Sequence, residues 1–149
     1  MKPILRHLQQ TLFDTLKGWD ICKDIELFRH TALNLEEVVA LRLSSAHPLQ
    51  LGISYPFPLE TTPDLEALCW SQLSFHALLI QKSQILPKNH FLDLAENICF
   101  ELSKQNFITE FYECRFTLIE KQPWQWVALK HKTALQMRFA TQKFSTFTV

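Results

Sequence analysis

The sequence predicts an α+β fold: an antiparallel four-stranded sheet with two helices on one face, preceded by an extra N-terminal helix. Two observations support this class. Apolar side chains recur at helical spacing within residues 3–17, 61–84 and 89–105, whereas apolar and polar side chains alternate within residues 111–120 and 133–141. The chain of 149 residues has the length of one domain and can bury a hydrophobic core.

The first helix is predicted from a stripe of leucine and isoleucine. Apolar side chains recur every fourth residue from Ile4 to Leu16, and Gly18 follows as a helix stop. We therefore predict a single domain over all 149 residues, with a helical extension at 1–20 and a main unit at 21–149.

Residues 21–59 contain three segments that are rich in β-branched, aromatic or alternating side chains, a composition typical of strands. Prolines mark turns or strand ends in this region. The middle segment, LNLEEVVALRL at 33–43, would also serve as a short helix, because an apolar run is ambiguous by period alone. Two main strands are the favoured interpretation.

The second and third helices are predicted from caps and apolar stripes. Thr62 can cap the segment 61–84, Pro63 suits its first turn, and His76 belongs to its buried stripe. The third helix, NHFLDLAENICFELSKQ at 89–105, separates an apolar stripe from a polar one.

The C-terminal third changes to a period of two. FYECRFTLIE at 111–120 and TALQMRFAT at 133–141 both alternate, and KQPWQW at 121–126 lies between them. This arrangement predicts an antiparallel hairpin with one buried face.

The composition excludes several classes of function. Fifteen basic and fifteen acidic side chains cancel without forming a block of like charge, which argues against nucleic acid and acidic membrane surfaces as partners. No apolar run approaches the roughly 18 residues needed to span a bilayer, and no secretory signal is visible. We therefore expect a cytoplasmic protein.

Cysteine, histidine and glycine usage narrows the chemistry further. The four cysteines form no CxxC pair and are expected to be free buried thiols. The six histidines are scattered without an i, i+4 pair, so no metal site is predicted. Only two glycines occur, which excludes a glycine-rich phosphate loop, and no cofactor is expected.

Candidate functional residues lie on the third helix and at the end of the next strand. Asp93 and Glu96 could accept paired hydrogen bonds from the amidine-like edge of a pterin or guanine ring. Lys121 could act as a proton shuttle, and Trp70, Trp124 or Trp126 could stack on a flat heterocycle. The competing interpretation is that the carboxylates are solvated, Lys121 extends into solvent and Trp70 fills the core.

The order of four segments resembles a known family. PDLEALCWSQL, FLDLAENICFEL, CRFTLIEKQP and ALQMRF follow one another between about residues 62 and 140, in a pattern similar to the second half of dihydroneopterin aldolases. Lys121 matches the family's catalytic lysine if Gln122 is an insertion. Trp70 stands near the family's tyrosine, and Leu92 occupies the position of its pterin-anchoring glutamate.

The resemblance implies the tunnelling fold, in which four-stranded units with paired helices assemble into a homo-oligomeric barrel, here a tetramer or octamer. It also implies pterin sites between subunits and retro-aldol cleavage of dihydroneopterin in folate biosynthesis. Asp93 or Glu96 would hold the pterin and Lys121 would move protons.

Two alternatives remain open. The chain would be a non-catalytic or differently specialised relative, since LAENI and TLIEK are also similar to the 6-pyruvoyltetrahydropterin synthase group, with Glu120 as the anchor. Otherwise it is a plain helix-on-sheet domain whose likeness to these enzymes is coincidental.

Overall fold

The computed structural model describes residues 4–31, 34–44, 47–58, 72–82, 86–127 and 134–146. It confirms the α+β class, since three α-helices and a short 3-10 helix accompany one large, mostly antiparallel sheet. In chain order the elements are α1 (Ile4–Lys17), a 3-10 helix (Asp20–Cys22), β1 (Glu26–His30), α2 (Leu35–Leu43), β2 (Leu49–Ser54), β3 (Phe57–Pro58), β4 (Leu73–Gln81), α3 (Lys88–Lys104), β5 (Phe107–Ile108), β6 (Tyr112–Leu118), β7 (Trp124–Trp126) and β8 (Ala134–Thr146).

Within the described ranges the sheet has eight strands, in the order β1-β2-β4-β8-β6-β5, with β3 beside β4 and β7 beside β8. The first two strands run parallel, and the other neighbours are antiparallel. The predicted number of four strands was therefore wrong. Strands β3 and β5 have two residues each and β7 has three, which is too short to produce a recognisable period in the sequence.

The helix predicted over residues 61–84 was also wrong where the structure describes it. Residues Leu73–Gln81 form the strand β4, which lies between β2 and β8. Its side chains are buried on both faces, so its apolar residues form a continuous run that does not alternate. Such a run cannot be told from a buried helix by period alone. The predicted cap Thr62 lies outside the described residues.

Helices α1 and α3 cover one face of the sheet, in the positions that the sequence predicted. Leu8, Leu12 and Leu16 on α1 are fully buried in the same hydrophobic cluster as the inner face of α3. The buried hydroxyl of Tyr112 on β6 donates to Thr11 Oγ1 of α1 (3.1 Å). The N-terminal helix thus contributes directly to the main core between helices and sheet.

Helix α2 packs on the opposite face, and it shows that Leu35–Leu43 of the ambiguous segment form a helix. The Asn34 side chain caps it by accepting hydrogen bonds from the N–H groups of Glu36 (3.1 Å) and Glu37 (3.3 Å). Val38 and Val39 are buried in a second hydrophobic cluster with residues of β1, β4 and β8. The sheet is therefore covered on both faces, and on this side the cover that the described residues provide is one short helix.

The cysteines that the structure describes are free buried thiols, as predicted. Burial raises the pKa of Cys22 to about 11 and the pKa values of Cys99 and Cys114 to about 12. Thiols with such pKa values remain protonated at neutral pH and act as core side chains. Cys69 lies outside the described residues.

None of the helices in the described ranges is both long enough and apolar enough to cross a membrane.

A close approach between an aromatic ring and a glycine supports the packing of α2 on the sheet. The ring of Phe28 on β1 lies directly over Gly52 of β2, and a Cβ atom at position 52 would overlap three carbon atoms of that ring. Arg42 of α2 stacks on the same ring, 3.9 Å from its centroid, and pairs with Glu26 (3.3 Å). Gly52 thus sets the position of the ring on which α2 rests.

We expect Gly52→Ala to lower the free energy of unfolding by about 1–3 kcal/mol, because the added methyl group must displace the Phe28 ring from a packed layer. Gly18→Ala is the matched control, since its added Cβ would meet only ordinary contacts at 3.6 Å or more. That variant should stay within about 0.5 kcal/mol of the wild type. Urea denaturation measures both, and equal stabilities for the two variants would contradict the packing argument.

Candidate functional site: a pocket with two histidines

A pocket of about 370 Å³ lies on the α2 side of the sheet, where β1 and β2 end. We call it the imidazole pocket, because two histidines from separate strands contribute to it. It is lined by His30, Thr31, Leu35, Ser54, Tyr55, Pro56, Phe57, His76 and Gln136. Its volume falls at the lower end of the range for small-molecule sites, which is about 300–1,000 Å³.

The sheet register brings the polar side chains of this pocket into one row. His30 of β1 is paired with Ser54 of β2, and the backbone N–H of His76 on β4 donates to Ser54 Oγ (2.8 Å). Because successive side chains of a strand point to opposite faces, these residues point away from the main core under α1 and α3. The row therefore faces the side that α2 covers only in part.

A buried amide on α1 fixes the backbone beneath the pocket. Gln9 Nε2 donates to the carbonyl oxygens of His30 (3.2 Å) and Ile53 (3.0 Å), where β1 and β2 end. The N–H of Tyr55 also donates to the His30 carbonyl (2.8 Å). These bonds satisfy the strand ends and hold the chain at the pocket floor in one position.

His30 contains buried polar atoms without a hydrogen bond. Neither ring nitrogen of His30 has a partner within the described part of the chain, and both atoms are buried. Desolvation, and secondarily the charge of Arg42, lower the pKa of this imidazole. Leaving such groups unpaired costs about 1–3 kcal/mol each, so a ligand that bonds them would gain that free energy.

His76 has a fixed orientation and is also uncharged at neutral pH. Its Nδ1 lies 2.7 Å from Gln136 Nε2, and the ring of Phe57 meets it edge-on at 5.1 Å. Desolvation lowers the pKa of His76 to about 4, with further contributions from the charges of Arg138 and His30. The amide of Gln136 leaves the other nitrogen of the His76 ring as the atom that can bond a ligand.

The chemistry of these two side chains favours binding over proton transfer. A histidine with a pKa of about 4 is a weak base, and its acid form is scarce at neutral pH. No third His, Cys, Asp or Glu joins the pair in a group that could hold a metal ion, within the residues that the structure describes. The imidazole pocket thus offers neutral hydrogen-bonding groups inside a largely apolar wall.

A second, more open depression adjoins the pocket. This outer groove has a volume of about 600 Å³ and shares Leu35 and Gln136 with the imidazole pocket. It extends between the start of α2 and strand β7, and its other lining residues are Asn34, Glu36, Gln125, Trp126 and Val127. A ligand larger than the imidazole pocket could continue into this groove.

The residues predicted from the sequence lie elsewhere. Asp93 and Glu96 are exposed on the outer side of α3, and Lys121 is exposed in the turn between β6 and β7. In the described part of the chain, no hydrogen bond or ion pair joins these three side chains. None lines the imidazole pocket or the outer groove, and Trp70 lies outside the described residues. Their catalytic and binding roles stay predictions.

The turn that contains Lys121 is held to strand β8 by two backbone hydrogen bonds. The N–H of Ile119 donates to the Arg138 carbonyl (3.1 Å), and the N–H of Arg138 donates to the Pro123 carbonyl (2.9 Å). Gln122, with a φ of 48°, adopts a left-handed conformation between these two bonds. Residues 119–123 therefore leave the sheet and return to it at a single residue of β8. The predicted hairpin pairing of β6 with β8 is confirmed, and WQW is a strand of its own.

His30 and His76 were missed because they form no motif. They lie far apart in the sequence, and His76 was assigned to the stripe of a predicted helix. One signal was present, since a histidine within the apolar run LSFHALLI is a polar group in a buried strand.

Comparison of the chain with protein-family models, with curated proteins and with solved structures returned no significant match.

We expect the pKa of His76 to make stability depend on pH. The unfolded chain binds a proton near pH 6.5 and the folded chain only near pH 4, so stability should fall as pH decreases through this window. Replacing His76 by Gln should reduce the decrease in melting temperature between pH 7 and 5. His30 still contributes in that variant, so the decrease should not vanish.

The control for this experiment is His90→Gln, which removes an exposed imidazole at the start of α3. Its melting temperature should follow the wild type at each pH in thermal unfolding monitored by circular dichroism. Parallel curves for wild type and His76→Gln would contradict the assignment.

Proposed function

We propose that this chain is a small-molecule-binding protein whose ligand is a flat aromatic or heteroaromatic compound with hydrogen-bonding edges. The observation that supports it most directly is the His30 ring, whose two buried nitrogens have no partner in the described residues and which lines the imidazole pocket. A ligand group at this position would satisfy a polar atom that folding alone leaves unpaired.

The shape and lining of the pocket support a flat ligand. Tyr55, Pro56 and Phe57 form an apolar wall, and the His76 ring stands edge-on to Phe57. Aromatic walls favour aromatic ligands, because offset and edge-to-face ring contacts add to the burial of apolar surface. The neutral imidazole of His30 supplies one donor and one acceptor, and His76 adds the ring nitrogen that Gln136 leaves free, which suits the mixed edge of a heterocycle.

Pterins are the first ligands to test, because the segment order of the chain resembles that of dihydroneopterin aldolases. A tunnelling-fold oligomer would place its pterin between subunits, whereas the imidazole pocket lies within one chain. The two arrangements are distinguished by light scattering combined with the stoichiometry of binding. A monomer that binds one pterin per chain would support the pocket, and it would correspond to a plain helix-on-sheet domain instead of a tunnelling-fold relative.

The binding proposal is tested by titrating the protein with dihydroneopterin and with pterin in a calorimeter. We expect His30→Leu to weaken binding at least about tenfold, because the ligand loses a buried hydrogen bond. The same substitution removes unpaired polar atoms, so the melting temperature should be equal to or higher than that of the wild type.

His90→Gln serves again as the control and should bind like the wild type. The combination of lost binding and retained stability separates a ligand-binding role from a structural one. A His30→Leu protein that is stable and binds either pterin normally would rule out the imidazole pocket as its site.

The aldolase activity is a second candidate, supported by the match of Lys121 to the family's lysine and by the exposure of its side chain. If it is correct, incubation with dihydroneopterin should release glycolaldehyde. Lys121→Ala should then reduce the rate at least about a hundredfold, as expected for the loss of a proton-transfer group. Asp93→Asn and Glu96→Gln should raise KM if these carboxylates hold the pterin. No glycolaldehyde from the wild type would exclude the aldolase reaction.

A further inference from the structure

The polar row of the imidazole pocket continues to an arginine. Arg138 of β8 is paired directly with His76 of β4, so the Cβ atoms of the two residues lie about 5 Å apart on the same face of the sheet. Arg138 is half-buried, and its guanidinium has no hydrogen bond or ion pair with any residue in the described ranges. Its backbone is held on both sides by the bonds to Ile119 and Pro123.

The charged groups around this row are of both signs, and most of them are balanced by a neighbour of opposite charge. On α2, Arg42 is compensated by Glu26 of β1, and Glu36 lines the outer groove instead of the imidazole pocket. On the turn anchored at Arg138, Glu120 and Lys121 are both exposed and carry opposite charges.

Among the described residues, the lining of the imidazole pocket contains no carboxylate, and its titratable side chains are His30, His76 and Tyr55. The charge of Arg138 next to His76 is therefore uncompensated within the described residues. This environment disfavours a metal cation between the imidazoles and favours an anion.

We propose that the ligand of the imidazole pocket carries an oxyanion, either a carboxylate or a phosphate group, which binds between Arg138 and His76 and draws a proton from solvent onto His76. This inference rests on the proposed function and names the chemical class of its ligand. The guanidinium offers two parallel N–H donors to two oxygen atoms, and the imidazolium adds a third charge-assisted bond.

Proton uptake follows from the charges. Without a ligand, the His76 ring lies beside a cation and in a desolvated site, and both effects lower its pKa to about 4. An anion within hydrogen-bond distance reverses the sign of the local charge and raises the pKa. Between the two pKa values each binding event takes up one proton. Affinity for the anion should therefore increase as pH falls, by up to about tenfold per pH unit.

The test uses three probes: benzoate, the neutral isostere benzamide, and inorganic phosphate. Titration calorimetry at pH 6 in two buffers of different ionisation enthalpy gives the affinity and the number of protons taken up. We expect benzoate to bind at least about tenfold more tightly than benzamide, with uptake of close to one proton. Nitrogen-detected shifts of the histidine rings should show His76 becoming an imidazolium on addition of benzoate.

Three variants test which residues are responsible for benzoate binding and proton uptake. Arg138→Gln should reduce benzoate affinity at least about tenfold and leave benzamide affinity unchanged. His76→Gln should abolish proton uptake and flatten the pH dependence of benzoate binding. Arg115→Gln, which removes an exposed arginine from β6 outside the pocket, should behave like the wild type. Thermal unfolding of each variant verifies that it folds.

The possible outcomes distinguish the oxyanion inference from the proposed binding of an aromatic ligand. Tight binding of phosphate with weak binding of benzoate would support the oxyanion and identify a phosphate as its source, while arguing against an aromatic ligand. Equal affinities for benzoate and benzamide without proton uptake would overturn the oxyanion and leave the aromatic pocket intact. Absence of binding by all three probes would also overturn the oxyanion, and the pterin titration would then decide the proposed function alone.

Discussion

Burial of strand β4 on both faces is the constraint on which the rest of the structure depends. Phe75 and Leu79 point into the main core under α1 and α3, whereas Leu78 and Ile80 point into the cluster under α2. Neither face of this strand is exposed to water, so its backbone N–H and C=O groups must form hydrogen bonds with β2 and β8. The sheet therefore extends in both directions from β4, and a helical layer is required above and below it.

The two layers are unequal, and this inequality creates the site. Helices α1 and α3 together cover one face, while the nine-residue α2 covers the other only around Phe28, Leu78 and Ile80. Beyond the end of this cover, the strands carry His30, Ser54 and His76 instead of aliphatic side chains. The ring of His30 is desolvated but not paired, and the ring of His76 is desolvated on a central strand, which explains both the unsatisfied nitrogens of His30 and the lowered pKa values of the two imidazoles.

Most of the elements predicted correctly from the sequence share a physical property: they are amphipathic. Helix α1, helix α3 and strand β6 have one buried and one exposed side, so the period of their apolar residues reports their geometry. Strand β8 alternates in residue type, although both of its faces are largely buried. The prediction for strand β4 was wrong because this strand has no exposed side. The segment that forms helix α2 stayed ambiguous because its own apolar side chains lie on all sides of the helix. Leu41 is exposed, for example, and Val39 is buried. The candidate residues of α3 and the following turn lie on the surface, where residue type indicated chemistry but not a shared location.

By itself the sequence determined the class of the fold, the position of two helices, the C-terminal strand pair and the free state of the described cysteines, because these follow from local patterns and composition. Only the tertiary structure decided the role of the segment after Gln72, the pairing of β1 with β2, and the alignment of His30, His76 and Arg138. Those three residues lie in one row across the sheet through the hydrogen-bonded register of four strands. Register depends on contacts between distant segments, and no local pattern in the chain encodes it.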